Sequence, residues 1–316
     1  MNILVALYVI LFIVLTKIRF ELALLVLVIA LPSYLIKFSL FGIPATILEA
    51  MILVVFASWL IDNWKEQWNY LKLACSKNGQ SLKVSYPFSR EIIALLIFSF
   101  ISVGIAGFSL QSLGLWKAYF FEPILLFIVL INIYGKKNYK IEGLVNALAV
   151  SAICVGGFAI IQKYTNIGWS AEWIAQNRVT SIYSYPNAIG LYLGPIILIL
   201  VGQLVGHFKQ GVKFKDNLIR SAGYSTTIII SLVAIILAKS DGAMLGVSVG
   251  LLFFGLFVNK QVRWVILSFI ILGSISLYSL QANNQAIAQK LRLQDLSGSI
   301  RLIIWNETAL LLKDNH

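Results

Sequence analysis

The sequence predicts an all-α fold, a polytopic transmembrane helix bundle of about ten spans with a short outer-face amphipathic helical tail. Three observations carry this expectation. Of 316 residues, 59% are apolar and 12% charged, with a mean hydropathy of +0.87, well outside the range of a soluble globular chain. Apolar runs recur along the chain at about 20 residues, the length that crosses a hydrocarbon core as a helix. The basic residues alternate from loop to loop, as topology in a multi-pass protein requires.

Ten runs fit a span: roughly 3–16, 21–36, 43–61, 91–109, 114–134, 142–162, 188–206, 223–239, 242–258 and 262–280. No Lys or Arg precedes Lys17 and no small-x-small cleavage site follows the first run, so it reads as a retained helix and not a removed leader. Loops after odd-numbered runs hold sixteen of the 25 Lys and Arg, which makes them cytoplasmic and places the N-terminus and the 281–316 tail outside. The net charge of +12 is therefore a signature of topology, and no nucleic-acid partner is expected. Residues 1–280 form the bundle, and 281–316 begin a large extracytoplasmic loop. Cys75 falls in a cytoplasmic loop and Cys154 within a span, so neither a disulfide nor a zinc site is expected.

Taken in order, the third run carries Glu49 in its outer third. A carboxylate there is either functional or paired with Lys37 or a neighbouring helix. The segment 62–90 carries Trp64, Trp68, Tyr70 and spaced lysines, the mark of an interfacial helix with a turn at Asn78-Gly79. In the fifth run Glu122-Pro123 predicts a kink, because proline removes a backbone hydrogen bond, and Lys117 is the nearest partner for Glu122. That pair serves chemistry or helix packing equally well.

The outer loop after the sixth run interleaves Trp169, Trp173, Tyr183 and Tyr185 with polar residues. Such side chains suit the headgroup boundary, and their flat faces also stack on sugar rings. Topology does not favour an arginine in this loop, and the planar fork of Arg178 matches phosphate geometry. Pro186-Asn187 then open an apolar helix whose free N–H groups and positive dipole end suit an anion. In the ninth run Gly242, Gly246 and Gly250 read as close-packing positions, Asp241 as an acid at a helix N-terminus, and Lys239 as a phosphate contact. Ser297-Gly298 divides the tail into two short helices, the second bearing Arg301, either a solvated charge or a third cation on the side of Arg178 and Lys239.

Arg178 with Pro186-Asn187, then Lys239-Ser240-Asp241-Gly242-Ala243, then Ser297-Gly298-Ser299-Ile300-Arg301-Leu302-Ile303-Ile304-Trp305, together resemble the O-antigen ligase and polymerase family of bacterial membrane glycosyltransferases over roughly residues 90–316. The resemblance implies metal-independent transfer of a glycan, without a cofactor, from a polyprenyl-pyrophosphate carrier to a glycan or lipid acceptor on the outer face of the cytoplasmic (inner) membrane, with membrane lipid as surroundings. It casts Arg178 and Arg301 as the pyrophosphate-binding arginines, with Lys239 beside them and Pro186, Asn187, Lys117 and Glu122 in support. Two departures stand out. Ser240-Asp241-Gly242 replaces the family's Ser-Arg-Gly, and the family's catalytic histidine is expected beyond residue 316, so the chain reads as C-terminally truncated, His316 is not given that role and no catalytic residue is assigned.

Two competing classes are set against this. Metal-dependent polyprenyl-phosphate-sugar transferases need paired acids in an early outer loop, and the thirteen acids include no such pair. A lipid-linked oligosaccharide flippase or other polytopic transporter is the alternative, using Glu49, Lys117 and Glu122 along a path through the bundle.

Overall fold

The computed structural model describes residues 3–40, 43–75, 88–135, 140–210, 214–258 and 296–314, together with 260, 263, 264, 267 and 268. The chain divides into two compact units, Met1–Met244 and Leu245–His316.

The first unit opens with α1 (Ile3–Ile18) and α2 (Phe20–Ile29). At ten residues α2 is about 15 Å long, half a hydrocarbon thickness. The second predicted run, 21–36, is thus corrected: Pro32 cannot continue the hydrogen-bond ladder, and the chain turns through a 3-10 segment, Leu31–Leu35. An antiparallel hairpin follows, β1 (Lys37–Leu40) on β2 (Ile43–Thr46), with Lys37 opposite Thr46. This hairpin is the one departure from an all-helical fold among the described residues.

The third helix, α3 (Ile47–Cys75), starts four residues later than the apolar run suggests. Thr46 Oγ1 accepts from the Glu49 backbone N–H at 3.2 Å, so Thr46 caps the helix and Glu49 sits in its first turn. α4 (Ser89–Ile105) and α5 (Leu110–Trp116) follow. Where a kink was expected, helical winding is continuous from Leu110 to Gly135: a π-helical turn, Lys117–Phe121, leads into α6 (Glu122–Leu130), and a second, Ile131–Gly135, ends it. The wide turn makes room for the Pro123 ring and lowers the demand for its missing N–H.

Then come α7 (Glu142–Thr165), the short α8 (Ala171–Ala175), α9 (Asn187–Gln210), α10 (Phe214–Leu237) and α11 (Asp241–Val258). Among the described residues six stretches are long and apolar enough to cross a membrane: 47–68, 110–135, 142–165, 187–206, 218–237 and 241–258. Six of the ten expected spans thus have helices of spanning length among the described residues. α1, α2 and α4 are 16, 10 and 17 residues long, and the tenth run, apart from 263, 264, 267 and 268, lies outside the described residues.

Two packed groups make up the first unit. One joins α1, α2, α3 and α6 through Phe12, Leu24, Leu27, Met51, Val55, Leu125 and Val129. Tyr8 Oη reaches Met51 Sδ at 3.3 Å and Lys17 pairs with Asp62 at 3.5 Å, so α1 and α3 run parallel. The other group is α7, α9 and α10, and α2 packs on α7 to join them. Arg220 bonds Glu142 near the starts of α10 and α7, while their ends share a loop, so these two helices are also parallel. Large apolar side chains such as Ile93, Phe98, Ile101 and Ile105 of α4 are exposed, as a lipid-facing surface requires.

A Cβ added to Gly190 of α9 would lie 2.1 Å from the Ala243 Cβ and 3.3 Å from the Ser240 Oγ, whereas one on Gly242 meets nothing within 4 Å among the described residues. The close approach of α9 and α11 is therefore made from Gly190, not from Gly242. Gly190→Ala is expected to destabilise the protein by about 1–3 kcal/mol, read as a lowered thermal midpoint in detergent.

In the second unit, α12 (Leu296–Asp314) is one continuous helix that includes Ser297-Gly298 in its first turn. The expected break there is corrected: both residues take helical backbone at a helix start, where neither interrupts an established ladder.

Candidate functional site

The ends of α7 and α10 and the start of α9 meet around the segment 176–181. Asn177 and Ser181 hold φ of 52° and 55°, in the left-handed region, and bracket Arg178 on a fixed bend. Val179, Thr180 and Ser181 are buried. The Val179 N–H donates to Leu237 O at 3.3 Å, and Ser181 Oγ donates to Val155 O at 2.7 Å, so the segment is wedged between the two parallel helices.

Arg178 is half-buried and its fork is held on two sides. Nε donates to Ala238 O at 3.0 Å and one terminal nitrogen to Asn187 Oδ1 at 2.9 Å. The guanidinium lies over the Trp173 ring, 5.6 Å from its centroid, and Trp169 Nε1 donates to Arg178 O at 2.7 Å. Lys239, whose φ is 48°, turns back to donate from Nζ to Gln176 O at 3.2 Å. Two cations separated by sixty-one positions thus stand on adjoining turns, beside the first residue of α9. Pro186 is buried just before that helix, and the Asn187 side chain spends its oxygen on orienting Arg178.

Asn187 N–H and the turn that follows supply the positive end of a 24-residue helix. Anion chemistry fits: a positive dipole end, a planar donor fork already ordered by two hydrogen bonds, and an exposed ammonium. Burial pushes the Tyr183 phenol above the ordinary tyrosine range, so it stays neutral beside this group. Among the described residues no three His, Cys, Asp or Glu side chains cluster as a metal site.

Lys117 and Glu122 fall in a separate cluster. Lys117 Nζ bonds Glu49 of α3, not Glu122, because the π turn swings residue 117 toward the start of α3. Glu122 is buried, and its Oε1 has no hydrogen-bond partner among the described residues. Lys117→Met is expected to leave the Glu49 carboxylate unpaired and to destabilise by roughly 1–3 kcal/mol, a figure kept low because the Lys117 side chain is 32% exposed. Adding Glu49→Gln should recover most of the lost thermal stability. Arg301 is exposed on α12, in the second unit.

Sequence reading missed three parts of the Arg178 group. The carbonyl of Ala238 carries no side-chain signal. Trp173 was legible as an interfacial aromatic but not as the surface beneath an arginine. Gln162 is fully buried at the end of α7; a polar residue completing an apolar helix is the available signal.

Six stretches of spanning length and apolarity among the described residues, with lipid-type side chains outward, make this a multi-pass membrane protein with an ordered cationic group at one end of its helices. Residues 226–316, less than a third of the chain, match the O-antigen ligase family model, Wzy_C, a similarity that supports an O-antigen ligase/polymerase assignment. The match contains Lys239 and Arg301, while Arg178, Pro186 and Asn187 precede it. No curated protein and no solved structure matches the chain.

Proposed function

We propose that the protein transfers a glycan from a polyprenyl-diphosphate carrier to an acceptor hydroxyl, by ligation or polymerisation, at the outer face of the bacterial cytoplasmic membrane. The observation that carries this reading is the Arg178 fork, held by Ala238 O and Asn187 at the start of α9 with Lys239 on the next turn. In such a transfer the acceptor oxygen bonds the anomeric carbon as the bond from that carbon to the diphosphate oxygen breaks, and the hydroxyl proton leaves to solvent. Negative charge grows on the leaving diphosphate. Donors already fixed in place stabilise that charge more than they stabilise the bound substrate, which is the condition for acceleration. Arg301 is proposed as a diphosphate contact on the sequence resemblance alone.

The transporter reading calls for charges spread through the bilayer depth. Lys117 is instead paired with Glu49 at the start of α3, so two of these three charges are held by each other. That supports transfer over transport. Membranes containing the protein, given a polyprenyl-diphosphate-linked oligosaccharide and an acceptor, should release free polyprenyl diphosphate in step with product glycan. Movement of the intact lipid-linked donor between leaflets without release would overturn the reading.

A further inference from the structure

We propose that Gln162 is a positioning residue for the anion site, holding Arg178 in place through the segment it clamps. The proposal rests on the reading of Arg178 as the diphosphate contact. Gln162 stands in the last full turn of α7 and is 0% exposed. Its Oε1 accepts from both the Thr180 and Ser181 backbone N–H groups at 2.8 Å, and its Nε2 donates to Ser181 O at 3.1 Å. One side-chain amide therefore satisfies three backbone groups of a buried bend that has no ladder to join.

The chemistry singles out glutamine. The site needs an oxygen with two lone pairs and a donor on the same planar group, with a reach of two methylenes from the helix. Glutamate keeps the acceptor and loses the donor, so its second oxygen would face Ser181 O with no proton between them. Asparagine is one methylene short. Arg178 is two residues from Thr180, and its backbone N–H donates to Trp173 O at 3.0 Å, so the position of its Cα is fixed from both directions. Ser181 keeps a φ of 55° although it is not glycine, and the amide of Gln162 together with the Ser181 hydroxyl bond to Val155 O offsets that strain. Without the clamp the bend relaxes, and the guanidinium loses its aim past Asn187.

The test is binding of farnesyl diphosphate to the detergent-purified full chain, by titration calorimetry, for wild type, Gln162→Ala, Gln162→Glu, Arg178→Ala and the Gln162→Ala/Arg178→Ala pair. Monodispersity and thermal midpoint are recorded for each. Gln162→Ala should weaken binding about tenfold and Gln162→Glu by a similar factor, even though the glutamate is nearly isosteric. In the Arg178→Ala background Gln162→Ala should cause no further loss, since a residue acting through Arg178 has nothing left to position. An equal loss in both backgrounds, or wild-type binding by Gln162→Ala when Arg178→Ala binds poorly, overturns the role of Gln162 alone. Wild-type binding by Arg178→Ala overturns the diphosphate reading and the proposal with it.

Discussion

Arg178→Ala is expected to lower glycan transfer at least about 100-fold in cells whose surface polysaccharide depends on this protein, with the amount of protein in the membrane unchanged. The effect is large because the side chain does two things at once. It offers a fork already ordered by Ala238 O and Asn187 Oδ1, so little rotational freedom is lost when an anion arrives. It also places that fork at a helix N-terminus, where the anion meets the dipole. Arg178→Lys separates charge from geometry: an ammonium retains the positive charge but cannot span Ala238, Asn187 and a phosphate oxygen together, so most of the loss should remain. Full transfer by the lysine variant would mean that only charge matters at this position.

Arg301→Ala is the second large effect, an expected loss of about 30-fold or more by the same measurement. Lys313→Ala, on the same helix and also exposed, should leave transfer unchanged, which distinguishes a specific contact from the general positive charge of α12.

Much of the helical skeleton was legible because apolar length is a strong signal. Residues 142–162, 188–206 and 242–258 fall almost residue for residue inside α7, α9 and α11. The ends of helices were harder. The run 21–36 looked continuous because hydropathy takes no account of the backbone N–H that Pro32 lacks, and β-branched or aromatic residues in 36–47 serve a hairpin as readily as a span. Thr46-Ile47-Leu48-Glu49 carries a capping pattern that would have moved the start of α3 to the correct place. Lys117 was assigned by nearness in sequence to Glu122, whereas its partner lies 68 positions away, and no local rule reports which face a π turn presents.

The site divides along the same line. Arg178, Lys239 and Asn187 were singled out because charge at the end of an apolar helix is costly unless used, and the structure gathers these three at one place. The groups that fix them, Ala238 O, Trp173 and Gln162, act through backbone geometry and packing that a linear sequence does not display.

Binding of one diphosphate by Arg178 and Lys239 at the outer face is tested most directly by the Arg178→Cys/Lys239→Cys variant, with Cys75 and Cys154 replaced by serine, in right-side-out vesicles treated with a short, membrane-impermeant bifunctional maleimide. Both thiols should react without permeabilisation and crosslink to each other, and added farnesyl diphosphate should block the crosslink. Reaction of either thiol only after the vesicles are opened would place the site at the inner face and contradict it.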